Sequence, residues 1–159
     1  MIRSIPRIGH SRALHLIDAE NLCGSSLVSV SAMIKLRDTY LEAVPMGPID
    51  QVVLASSHAS ILALGMGWPG KRYLMRSGKD GADICLAGII AEENIETRFD
   101  QVYMGSGDGG LAPFSGHLES CGVRVTAVSL AHSLSPRMRM ATSDVILLDR
   151  PGIAALRAA

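Results

Sequence analysis

The sequence predicts an α/β fold, a single domain with a doubly wound parallel sheet, on three observations. Short apolar runs of strand length alternate with longer stretches of helical spacing from Ala13 to Asp149. The runs are apolar throughout, as strands buried on both faces are, and the intervening segments are long enough for right-handed helical crossovers. With 159 residues, 48% of them hydrophobic, the chain has material for one sizeable core and too little for two comfortable ones. The domain is expected over 13–150, with 1–12 as an N-terminal extension and 151–159 as a C-terminal tail.

Each element has its own signal. "ALHLIDA" (Ala13 to Ala19) reads as a first strand that stops at Asp18. In "SSLVSVSAMIKLRDTYLEAV", Leu27, Val30, Ile34, Tyr40 and Leu41 fall near helical spacing, with Ser25 or Ser26 as cap and "PMGP" as the stop. "DQVVLAS" is the second strand, followed by an apolar helix from about Ala59 to Met66 and the turn "GWPG". "KRYLMR" is the third strand. "GADICLAGIIAEENI" is a helix beginning near Asp83, with Ile84, Leu86, Ala87, Ile90 and Ala91 as its apolar face. "DQVYMGS" is the fourth strand, "GLAPFSGHLESCG" a helix closed by Gly122, "VRVTAVS" the fifth strand and "SDVILLD" a sixth.

Composition narrows the classes of partner. The formal charge is zero, so no global field draws the protein to nucleic acid or to an anionic membrane, and a polyanion has to be met by a local basic patch. Lys71, Arg72, Arg76 and Lys79 form one such stretch; Arg137 and Arg139 form a smaller one. Cys23, Cys85 and Cys121 are odd in number, widely spaced and without a C-x-x-C pair, which fits buried thiols in a reducing cytoplasm. No apolar run reaches the length of a membrane span, and the start has no signal-peptide core, so a cytoplasmic protein is expected. The oligomeric state is open between a monomer and a homodimer.

In a parallel sheet, ligands gather beyond the carboxyl ends of the strands. This rule brings together Asp18 after strand one, Ser56 and Ser57 after strand two, and Asp108 after strand four, with Asp83 beside them if its helix starts at the same edge. Asp108 lies in "GSGDGG", where Gly105, Gly107 and Gly110 match G-x-G-x-x-G. One reading is a dinucleotide loop, but that fingerprint belongs after the first strand, needs an acid about 20 residues on, and would set Asp108 against phosphate. The other is an acidic corner that binds a cation. Plainer roles stand beside these. Asp18 can cap a turn, Asp83 can complement a helix dipole, Lys79 and Asp80 can be a solvated pair, and Trp68 can close a loop against the core instead of stacking on a base. The histidines show no metal-ligand spacing. Cys23 fits a buried inert thiol better than a nucleophile, and Asp144 stands too far round the sheet to join the corner.

Three motifs in order carry a resemblance: "LHLIDAENL", "KDGADICLAGIIAE" and "VYMGSGDGGLAPFSGHLESCGVRVTAV". Together they resemble the NYN domain family of PIN-like ribonucleases over about Leu14 to Leu148, which implies a PIN-like, Rossmannoid form of the sheet. The resemblance implies RNA hydrolysis with Mg²⁺ or Mn²⁺ held by Asp18, Asp83 and Asp108. It further implies Asn21 as a neutral ligand or as the residue that orients Asp18, Lys79 and Arg76 against substrate phosphates, and Ser106 bonded to Asp18 or to a metal-bound water. Glu20, beside Asp18 in sequence, is expected to point elsewhere, and a supporting acid behind the metal ligands is the other role open to it. Where the family pattern continues with a second Asp and an aromatic residue, this chain has Gly110 and Leu111. The alternative is therefore a catalytically weakened or inactive NYN module that binds RNA or a protein partner.

Overall fold

A computed structural model describes residues 12–150. The C-terminal tail and, apart from Arg12, the N-terminal extension lie outside the described residues. The chain runs β1 (Ala13–Asp18), α1 (Ala19–Cys23), α2 (Val30–Ala43), β2 (Gln51–Ser56), α3 (Ile61–Gly67), β3 (Arg72–Met75), α4 (Gly81–Glu92), α5 (Ile95–Arg98), β4 (Gln101–Gly105), α6 (Ala112–Ser120), β5 (Arg124–Ser129), α7 (Pro136–Ala141) and β6 (Asp144–Leu147). All six strands are parallel in the order β3-β2-β1-β4-β5-β6. The chain winds outward from β1 to β3, crosses back through α4, and winds outward again from β4 to β6. The doubly wound parallel sheet expected from the sequence is present.

Strand alternation decides which helices cover which face. Leu14 and Leu16 of β1 pack with Leu86, Ile89 and Ile90 of α4, Leu118 of α6 and Met138 of α7. Ile17 points the other way, into a layer with Met33, Leu36 and Tyr40 of α2 and Leu64 of α3. Asp18 has the parity of Leu14 and Leu16, so β1 delivers it to the face covered by α4. His15 has the opposite parity and is fully buried, with Nδ1 2.7 Å from the Tyr40 hydroxyl and Nε2 2.9 Å from Asp50. It stacks on Tyr103. Burial holds its pKa below the ordinary value against the pull of Asp50. It is a satisfied core histidine.

Several local expectations are corrected. The second helix starts at Val30, with Ser29 as its cap, because Ser29 accepts the Ala32 amide while Ser25 is spent on Leu27. Leu27 is 63% exposed, and Ile34 and Leu41 also face outward; Met33, Leu36 and Tyr40 form the buried stripe instead. In α4 the buried stripe is Ala82, Asp83, Leu86, Ile89 and Ile90, with Ile84 exposed. Three short helices, α1, α5 and α7, have no counterpart in the sequence reading. Among the described residues no helix is long and apolar enough to cross a membrane.

Candidate metal centre

The order of strands reverses between β1 and β4, and in such sheets the crevice at that reversal is the usual ligand site. Asp18 closes β1 there. It is buried and serves as N-cap of α1, where its Oδ1 accepts the Asn21 amide at 3.1 Å. Asn21 in turn accepts the Gly107 amide on its side-chain oxygen at 3.1 Å. The contact between Asn21 and Asp18 runs through the Asn21 backbone amide, a bond that any residue other than proline would make at this position. The Asn21 side chain ties the end of β1 to the loop after β4.

That loop is held by its own acceptors. Ser106, fully buried, accepts the Asp108 amide at 3.2 Å, and Asp108 accepts the Gly110 amide at 2.7 Å. The expected bond from Ser106 to Asp18 is absent among the described residues; the hydroxyl oxygen accepts within its own loop instead. The amides of Gly107, Asp108 and Gly110 are thus spent internally and do not form an anion cradle. The glycines serve packing: a Cβ at Gly107 would lie 2.2 Å from the Ser133 carbonyl oxygen. Gly110 is exposed, and a Cβ there would meet only the Asp108 carboxylate, at 3.1 Å. The dinucleotide reading fails on this geometry.

Asp83 stands at the amino end of the buried stripe of α4, one turn before Leu86. It is 9% exposed, and its Oδ1 is buried with no hydrogen-bond partner. Burial first, then the charge of Asp108 and the hydrogen bond that protonated Asp83 makes to it, with smaller contributions from Asp18 and Asp80, raises its pKa to about 7. Burial also lifts Asp18 to about 6, aided by the charges of Glu20 and Asp108 and opposed by the Asn21 and Glu20 amides. The helix dipole favours an ionised Asp83, yet desolvation wins. These are carboxylates crowded in a poorly solvated corner.

Oxygens of Asp80, Asp83 and Asp108 all lie within 4.8 Å of one another. Asp18 is outside this tightest set and couples to it by charge. Asp80 was passed over in the sequence as half of a solvated pair with Lys79. The available signal was its spacing from Asp83, one helical turn, and the Asp-Gly pair that starts α4. Glu20 does point elsewhere: it accepts from the Ser57 hydroxyl at 2.8 Å and from Ser60 at 3.0 Å, bracing the end of β2.

The basic stretch is divided by the strand it runs along. Lys71 and Arg72 sit at the amino end of β3, and Arg72 makes a two-pronged pair with Glu93. Arg76 and Lys79 follow β3 at the carboxyl edge and are exposed. Asp144 starts β6 and pairs with Arg124, away from the corner. Trp68 is buried beside Tyr40, closing its loop against the core. Cys23 has its pKa raised to about 11 by burial and the charges of Asp18 and Glu20, which makes it a poor nucleophile. It lines a cavity of about 510 Å³ with Leu22, Leu36 and Leu130, a space that takes in none of the clustered acids.

No family model matches the chain, and no curated protein matches it. Among solved structures it is similar to the crystal structure of a protein of unknown function from Vibrio parahaemolyticus, with a TM-score of 0.61 and 13% sequence identity over 90% of this chain and 96% of that one. That likeness concerns the fold alone.

Proposed function

We propose that the protein is a metal-dependent ribonuclease with an NYN-type, PIN-like acidic site. The observation that carries the reading is Asp83 Oδ1, buried next to the carboxylate of Asp108 with no protein donor to meet it. A buried unpaired carboxylate oxygen is costly, and a divalent cation is the ligand that best repays it. The all-oxygen donor set suits Mg²⁺ or Mn²⁺. Such an ion, when bound, lowers the pKa of attacking water and relieves charge on a phosphoryl group.

The chain's own residues supply the rest. Asp83 is held by α4 and Asp108 by the turn that Ser106 braces, so the two acids keep their separation without a ligand. Asp18, one oxygen already engaged by Asn21, adds negative potential behind them. Arg76 and Lys79, on the exposed loop between β3 and α4, would meet phosphates of a single RNA strand. Phe99 and Trp68 are buried and so do not offer a ring for a base to stack on. The same reading places the protein in the cytoplasm, where Cys23, Cys85 and Cys121 stay thiols.

The test is cleavage of a labelled single-stranded RNA across a Mn²⁺ titration by wild type and Asp108→Asn. Cleavage that needs Mn²⁺ and disappears in the variant supports the reading. Equal cleavage by both proteins points to a contaminant or another site. RNA binding without cleavage favours the non-catalytic module, to which the glycine at position 110 lends support.

A further inference from the structure

We propose that Asp80 is a third carboxylate ligand of the cation held by Asp83 and Asp108. The inference rests on the metal-dependent reading above and adds a residue to it. Asp80 is the N-cap of α4, a place where an aspartate ordinarily spends its carboxylate on amides of the first turn. Here its side chain makes no such bond, and among the described residues only the Asp80 carbonyl is engaged, accepting the Ile84 amide at 2.9 Å. Its backbone is left-handed, with φ 58° and ψ 25°, and only Asn94 among the other non-glycine residues described has a positive φ. The following Gly81 is pressed against the preceding loop so closely that a Cβ would lie 2.1 Å from the Arg76 carbonyl oxygen.

This tight turn sets the Asp80 carboxylate at the rim while Asp83, one helical turn on, lies at the floor. Asp108 faces both from the loop after β4, with an oxygen of each of the three inside 4.8 Å. Asp83 Oδ1, buried and met by no donor of the protein, is the second sign that a cation is to be bound there. Three acids at this separation repel one another, and a shared divalent cation reverses the sign of that interaction.

The experiment is calorimetric titration of Mn²⁺ into the chelator-treated full chain as wild type, Asp80→Asn, Asp80→Gly and Asp83→Asn. Asparagine tolerates the left-handed backbone and glycine prefers it, so both Asp80 variants fold. Expected are a Mn²⁺ affinity at least tenfold weaker in both, unchanged or higher metal-free melting temperatures, and no measurable binding in Asp83→Asn. If wild type binds Mn²⁺ and both Asp80 variants bind it within twofold as tightly, Asp80 is a solvated acid and the proposal fails while the metal-dependent reading stands. If wild type binds no Mn²⁺, the reading itself fails and the proposal with it.

Discussion

Replacing Asp83 by asparagine should stabilise the metal-free protein at alkaline pH. The folded-state pKa is raised from 3.8 to about 7, so between those values the native protein holds a proton that the unfolded chain has lost. Stability therefore falls as pH rises through that window, and the full penalty is present above it. A difference of about three pKa units corresponds to roughly 4 kcal/mol at about 1.4 kcal/mol each. The site opens to water on the Asp80 side, and discounting for that screening leaves about 2 kcal/mol. For a chain of this size that is a rise in melting temperature of about 4–8 °C for Asp83→Asn at pH 8, shrinking towards zero at pH 4. Thermal melts in chelator from pH 4 to 8 measure it. Saturating Mn²⁺ should reverse the order, adding about 2.7 kcal/mol to wild type at a hundredfold excess over the dissociation constant and little to the variant. A wild-type melting temperature flat between pH 4 and 8, with Asp83→Asn no more stable at the alkaline end, would refute the crowding of charge at this corner.

Other substitutions probe other parts. Gly110→Asp is allowed by the backbone, since Gly110 has no positive φ, and should tighten Mn²⁺ binding roughly tenfold by adding ligand charge next to Asp108; unchanged affinity by titration would show that the new carboxylate points to solvent. Gly107→Ala drives a methyl group into the Ser133 carbonyl and should cost about 3 kcal/mol in urea unfolding. A cost under about 0.5 kcal/mol would mean that the loop after β5 gives way freely. Tyr40→Phe removes the hydroxyl that meets His15 Nδ1 and should cost about 1.5 kcal/mol by the same assay, with the metal affinity unaltered.

What could be read from the sequence was what depends on burial along an element. β1 was legible because "ALHLID" is covered on both faces, and every one of its residues is buried. Asp18, Asp83 and Asp108 were legible as candidates because each stands where a strand stops or a helix begins. The start of α2 was not, since the chain offers a run of serines and only tertiary packing decides that Ser29 caps. α7 buries little besides Met138, so "PRMRMA" carries no stripe to detect. Asp80 was missed for a backbone reason: its carboxylate reaches the corner through a left-handed turn, a conformation the residue type permits without announcing. Lys71 and Arg72 looked continuous with Arg76 and Lys79 because sequence proximity hides that a strand carries its two ends to opposite edges of a sheet.

The bond from the Gly107 amide to Asn21 joins residues 86 positions apart, and β1 finds its second neighbour only in β4. Until residue 108 has left the ribosome, the corner lacks one wall. At about 5–20 residues per second, that leaves several seconds of synthesis after Asp18 emerges. During them the nascent chain carries its first acids without the arrangement that would let them grip a cation together. Whatever chemistry the corner performs is withheld until the loop after β4 has emerged.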